Sequence, residues 1–144
     1  MEFALVFPVL FLMLYGMCTY ALVMAVQHSL TQAAAEGGRA ALRFQSGNDA
    51  VVLRQNAACA MAQQGIAWLV QLSGQSAQCQ AGGNLQVVTK EQVCPVAAQG
   101  PNLKCISVVV SYNYGAVPLM PKLPLLPVPG VLTGEARTQI AVKS

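Results

Sequence analysis

The chain of 144 residues has room for one domain, and 55% of it is hydrophobic while only 9% is charged. An ordinary soluble domain carries about 25% charged residues, so part of this chain is read as living outside water, and a soluble cytosolic enzyme is disfavoured. The net charge of +3 arises from eight basic and five acidic side chains with no run or basic stripe among them, so no nucleic-acid partner is expected.

The apolar excess is concentrated at the start. Positions 3–26 hold no charged residue and are dominated by Phe, Leu, Val, Met, Ala and Tyr. At 1.5 Å per residue these 24 positions make roughly 36 Å of helix. A bilayer's hydrocarbon core is about 30 Å thick, so the segment predicts a transmembrane helix with some tilt. A buried core helix of this length would need a larger domain to cover it, and a cleaved secretory signal would be shorter, with a basic leader. Pro8 removes a backbone donor and is expected to kink or locally open the first turns. Glu2 stands at the mouth of the span, where an acid is either solvated among headgroups or neutralised by a partner.

Residues 27–44 contain no proline and are rich in Ala, Gln and Leu, so the helix is expected to continue beyond the membrane as a stalk. Leu30, Ala33, Ala34, Gly37, Ala41 and Phe44 recur at spacings of three and four, a narrow stripe of mostly small residues suited to packing against another helix. Glu36 and Arg39 sit beside it as a solvated i,i+3 pair.

The opening MEFALVFPVLFLMLYG, the polar exit QHSLTQAAAEGGRAA and the Arg-bearing helix that follows resemble the N-terminal region of TadE-like proteins, pilin-like assembly proteins of bacterial tight-adherence (Tad, type IVc) pili. The resemblance covers residues 2 to about 43, and its specific element is the acid-aromatic pair Glu2-Phe3 ahead of an apolar helix. It implies a prepilin-type precursor whose basic leader is cut after a glycine by a dedicated peptidase. It also implies a glutamate at the fifth mature position that pairs with a neighbouring subunit's amino terminus. Here Glu2 stands second with no basic leader ahead of it, so the sequence is expected to start at an internal methionine, to be truncated, or to be processed differently. The carry-over rests on Glu2 alone.

The nearest basic residues to the span, Arg39 and Arg43, lie on its C-terminal side, and a literal count would place that side in the cytoplasm. The cysteines argue the opposite. Cys18 lies within the span and is read as a small packing residue. Cys59, Cys79, Cys94 and Cys105 form an even set without a CxxC pair, which reads as two disulfides in an oxidising compartment. Four reduced thiols and a zinc site are the rival readings. Of three connectivities we favour Cys59 with Cys79 and Cys94 with Cys105, each closing a local loop. Residues after about 27 are therefore expected outside the inner membrane.

Asn48 or Asp49 can cap a second helix running to about residue 72, with Val52, Ala58 or Cys59, Ala62, Ile66 and Leu69 as its apolar stripe and Gly74 as its stop. Trp68 falls at core spacing beside Ile66 and Leu69. Strands are expected at about residues 85–89, 105–114 and 134–142. In the second, Ile106, Val108, Val110 and Tyr112 face one way, and Ser107, Val109, Ser111 and Asn113 the other. In the third, Ala136, Thr138, Ile140 and Val142 alternate with Glu135, Arg137 and Gln139. The fold class is thus α+β and pilin-like: a long N-terminal transmembrane and stalk helix (1–44), then a small disulfide-bonded extracytoplasmic domain (45–144). There a second helix packs on an antiparallel sheet with one wet face.

Between the last two strands lies VPLMPKLPLLPVPG, with Pro118, Pro121, Pro124 and Pro127 at the repeat of a polyproline II helix. A disordered linker would be polar, yet this segment carries Leu119, Met120, Leu123, Leu125, Leu126 and Val128. It either lies over its own sheet or contacts the membrane surface or a partner pilin. His28 is the only histidine and is read as a polar residue at headgroup level. No nucleophile elbow, phosphate loop, paired acidic site or metal-ligand cluster stands in the sequence, so neither catalysis nor a cofactor is expected.

The function these features imply is structural: a pilin-like subunit, a minor pilin or a priming component, whose helix passes from lipid into a helix bundle. Glu2, Phe3 and Pro8 would serve assembly, and the Pro-rich loop would be a candidate partner contact. The expected partners are other pilin-like subunits, the pilus assembly machinery, the inner membrane and, for a precursor with a leader, a prepilin-type peptidase. The expected location is single-pass in the bacterial inner membrane, with the C-terminal domain periplasmic and incorporation into a surface pilus. The alternatives are a signal-anchored periplasmic binding or sensing domain and a type II secretion pseudopilin.

Overall fold

The computed structural model describes residues 2–43, 50–92, 94, 103–121 and 126–141. Its first element, α1, is a single helix of 40 residues, Glu2–Ala41. Leu, Met and Ala supply helix propensity along most of its length, and the threonine hydroxyls inside it are absorbed locally. Thr19 Oγ1 donates to the Tyr15 carbonyl at 2.8 Å and Thr31 Oγ1 to the Gln27 carbonyl at 2.9 Å, each one turn back. Arg39 lies in the last turn, where the helix dipole favours a cation, and the end tightens through Leu42 N–H to the Arg39 carbonyl at 3.1 Å. Phe44 of the expected stripe lies outside the described residues, as do Asn48 and Asp49, the caps expected for the next helix.

The single second helix expected from the sequence is two: α2 (Ala50–Gly65) and α3 (Ala67–Ser73). The interruption falls at Ile66, directly after Gly65, the weakest helix former of the segment. Gly65 is there for proximity, since a Cβ on it would stand 3.0 Å from that of Ala33 on α1. The chain restarts with Leu69 N–H to the Ile66 carbonyl at 2.9 Å, and Gly74 ends α3 as expected, at φ +66° with its N–H on the Val70 carbonyl. The stripe of α2 also needs one correction. Val52 is half exposed, while Arg54, Ala58 and Ala62 are buried. At 100° per residue position 54 lies about 40° from the Ala58 direction, whereas position 52 lies about 120° away.

Three strands, β1 (Leu85–Gln92), β2 (Leu103–Tyr112) and β3 (Leu132–Ala141), form an antiparallel sheet in the order β1-β2-β3. The alternation read from β2 holds on its core face, where Ile106, Val108, Val110 and Tyr112 are completely buried. Its opposite face is less wet than expected: Ser107 and Ser111 are buried too. β2 is the central strand, and Ser107 sits in register between Lys90 and Arg137, so side chains of both neighbours flank it. Val142 lies outside the described residues.

The sheet's core face is covered chiefly by the C-terminal half of α1, with α2 packing on α1 and toward β1. Leu30, Ala33, Ala34, Gly37 and Ala41, read from sequence as a helix-packing stripe, are buried in that contact. Its closeness is set by glycines. A Cβ on Gly37 would stand 2.8 Å from the Ala58 carbonyl oxygen on α2 and 3.2 Å from Val108 on β2, and one on Gly38 2.9 Å from Thr138 on β3. Disulfides Cys59–Cys79 and Cys94–Cys105 join α2 to the segment before β1, and the segment after β1 to β2. Trp68 is not the core residue its spacing suggested. It is half exposed, and its indole N–H donates to Ser29 Oγ at 2.8 Å, pinning α3 to α1.

Candidate assembly surface along the long helix

The two halves of α1 differ sharply in what surrounds them. From Gly16 onward buried positions recur with helical spacing, at Gly16, Thr19, Val23, Val26 and Leu30. Over residues 6–14 every side chain is exposed, and Phe3 is 80% exposed. This bare half carries an aromatic ladder at i,i+4. Phe3 stacks on Phe7 with ring centroids 6.0 Å apart, Phe7 on Phe11 at 6.5 Å, and Phe11 on Tyr15 at 6.3 Å. α1 is also the one helix among the described residues long and apolar enough to cross a membrane, which fits a single-pass anchor.

Of the residues singled out for assembly, Glu2 opens α1; its side chain lies outside what is described. Phe3 stands at the open end of the ladder. Pro8 is exposed and the helix runs through it without interruption. What Pro8 removes is one N–H, so the carbonyl of Ala4, four residues earlier, has no intrahelical donor. Cys18 is a free thiol facing outward, not a packed core residue, and His28 is exposed beside Gln32, their Nε2 atoms 3.3 Å apart. Glu36 and Arg39 form the expected surface ion pair at 2.8 Å.

The described part of the Pro-rich segment folds back along α1, and its Val117, Leu119 and Val128 also pack on the core cluster that holds the buried face of the sheet. The Tyr112 hydroxyl donates to the Val117 carbonyl at 2.5 Å, and the Val117 N–H bonds the Asn113 carbonyl at 3.1 Å, which launches the segment from the end of β2. Gly115 N–H to the Gly130 carbonyl, at 2.6 Å, closes its base. Between these points Tyr15 donates its hydroxyl to the Pro121 carbonyl and Tyr20 its own to the Pro127 carbonyl at 2.9 Å. Thr19 Oγ1 approaches Met120 Sδ at 3.8 Å, and Leu126 lies over Gly16. Gln27 Nε2 then donates to the Thr133 carbonyl at 2.7 Å, where β3 begins. Leu119, Met120 and Leu126 are half-buried; Leu123 and Leu125 lie outside the described residues.

Sequence reasoning missed the receiving side of this contact, Tyr15, Gly16, Thr19, Tyr20 and Gln27. A signal was present: Tyr15, Thr19 and Tyr20 put three hydroxyl groups within six positions of an otherwise apolar run, and each needs a partner there. The arrangement offers a helix with one clothed half and one bare aromatic half, a surface for binding lipid or other helices.

Comparison with known families supports the resemblance read from the first residues. The family model of TadE-like proteins matches residues 1–39, which is nearly the whole of α1 and stops before α2 and the sheet. No curated protein and no solved structure matches the chain.

Proposed function

We propose that this protein is a pilin-like structural subunit of a tight-adherence pilus, a minor pilin or priming component, whose α1 is held in the inner membrane and then packs among the helices of other subunits. The observation that carries the reading is the bare half of α1: residues 6–14 and Phe3 have no cover within the chain, and they fall inside the stretch matched by the TadE-like model. An uncovered apolar helix of this kind is stable in lipid or in a bundle of like helices, and moving between the two exchanges one apolar environment for another. The folded part remains on the periplasmic side, where Cys59–Cys79 and Cys94–Cys105 form and persist. Glu2 supplies register: in lipid its carboxylate is costly to bury, and a neighbouring subunit's cationic amino terminus relieves that cost only when the two helices are aligned.

The test is Glu2→Ala in the native host. Membrane insertion should persist, because the apolar run is untouched, while piliation is lost. Normal piliation by the variant would remove Glu2 from assembly and favour a plain membrane anchor. Phe7→Ala with Phe11→Ala should likewise reduce piliation while leaving both disulfides formed.

A further inference from the structure

The contacts between the Pro-rich segment and α1 fix a depth. From Phe3 to Tyr15 the helix rises about 18 Å, which is about 12 Å short of a hydrocarbon core. A bilayer that takes up α1 from Phe3 onward therefore extends to about residue 23, and that interval contains Tyr15, Gly16, Thr19 and Tyr20. Groups bonded to these residues share their depth. They are the Pro121 and Pro127 carbonyls, Met120 and Leu126.

We propose that residues 117–121 and 126–130 enter the bilayer leaflet nearest the folded domain and lie there against α1, with lipid acyl chains covering the outward parts of Leu119, Met120, Leu126 and Val128. The membrane-embedded cross-section is then a helix plus a re-entrant loop. The proposal rests on α1 crossing a bilayer and is independent of pilus assembly.

Irregular backbone survives at membrane depth only where its polar groups are satisfied within the protein. This segment goes part of the way to meeting that requirement. Five of its fourteen residues, Pro118, Pro121, Pro124, Pro127 and Pro129, carry no N–H to satisfy. Two of its carbonyls accept from the tyrosine hydroxyls of α1, and its base is closed by Gly115 and Gly130. The same bonds satisfy Tyr15 and Tyr20, which would otherwise place hydroxyl groups in hydrocarbon. Leu119, Met120, Leu126 and Val128 are half-buried, Leu119 and Val128 packing inward on the core, and the apolar parts they leave exposed are a poor surface for water and a good one for acyl chains.

The test uses the full chain with both disulfides intact, reconstituted in phosphatidylcholine–phosphatidylglycerol vesicles. In a Cys18→Ser background, single cysteines are introduced as Leu126→Cys, Leu119→Cys, Met13→Cys and Ser76→Cys and labelled with a fluorophore. Met13 reports the bare helix and Ser76 the exposed turn after α3. Quenching by spin labels on the acyl chains should be several-fold stronger at 126 and 119 than at 76, with a water-soluble quencher in the reverse order. Quenching at 126 and 119 equal to that at 76 overturns the proposal, with position 13 confirming that the helix itself is in lipid. Lack of acyl-chain quenching at position 13 overturns the premise and the proposal together. Shielding of 126 from both quenchers that grows with protein-to-lipid ratio overturns it in favour of contact with a second copy. The two loop positions guard against one variant failing to fold, since folded protein leaves a single reactive thiol.

Discussion

Tyr20 on the apolar helix donates its hydroxyl to the carbonyl of Pro127, 107 residues later in the chain, at 2.9 Å. That bond, with the one from Tyr15 to Pro121, makes the Pro-rich segment a sleeve on α1. Replacing Tyr20 with Phe keeps the ring and removes the donor, and a hydrogen bond of this kind contributes about 1 kcal/mol. The double variant Tyr15→Phe, Tyr20→Phe should loosen residues 117–130 without unfolding the sheet. Faster amide exchange at Leu119 and Leu126, with unchanged protection at Ile106 and Val108, is the expected result. Unchanged exchange in the segment would show that apolar contact alone holds it.

Glycine sets how closely α1 approaches the sheet. A Cβ on Gly134 would overlap the backbone of Leu30 and come within 2.6 Å of the Thr31 nitrogen, atoms that no rotamer change can move. Gly37 faces the Ala58 carbonyl oxygen at 2.8 Å in the same sense. Gly16 differs, because its nearest neighbour is Leu126 Cδ2 at 3.7 Å, ordinary contact with a flexible side chain. Gly134→Ala and Gly37→Ala should each destabilise the fold by about 1–3 kcal/mol or more, measured by thermal unfolding in detergent. Gly16→Ala should stay close to the parent.

The parts of this fold legible in sequence are those governed by local periodicity. The apolar run of α1, the Leu30, Ala33, Ala34, Gly37, Ala41 stripe and the alternation in β2 each stand within one element, and each recurs in the structure. The local disulfide pairing was legible for a related reason, since short loops restrict which cysteines can meet. Relations between distant elements were hidden. Nothing near Gly134 announces that the backbone of Leu30 will lie against it, and nothing in the spacing of the prolines names Tyr15 and Tyr20 as their anchors. Trp68 was misread because periodicity places a residue on a face without saying how far the neighbouring element extends over it; α1 supplies one hydroxyl there, from Ser29, and leaves the ring half exposed.

The Cys59–Cys79 bridge closes a span of 20 residues and Cys94–Cys105 one of 11. In the chain-entropy account, loops of this size each stabilise the folded state by roughly 3 kcal/mol. The double variant Cys59→Ala, Cys79→Ala should therefore lower the denaturant midpoint of the C-terminal part substantially, because it frees the segment before β1 from α2. Thiol labelling of the unreduced parent should modify Cys18 alone, as the free and exposed cysteine among the described residues. Labelling at any of the four other cysteines before reduction would contradict the pairing.

The buried phenol of Tyr112 gives the domain an alkaline limit. Burial pushes its pKa above the ordinary 10.0, the neighbouring Tyr114 adds to the rise, and a hydrogen bond with Ser73 opposes it. In the folded protein the phenol stays protonated and donates to the Val117 carbonyl; in the unfolded chain it ionises near its ordinary value. The unfolded state thus sheds a proton first as pH rises. The stability that Tyr112 contributes is complete below pH 10.0 and is lost progressively as pH climbs through the raised value. Denaturant midpoints measured on the parent should be level in the neutral range and fall above that point. Tyr112→Phe should be less stable near neutrality, having lost the bond that launches the Pro-rich segment, yet show a shallower alkaline decline. An equally steep decline in the variant would assign the alkaline limit to other groups.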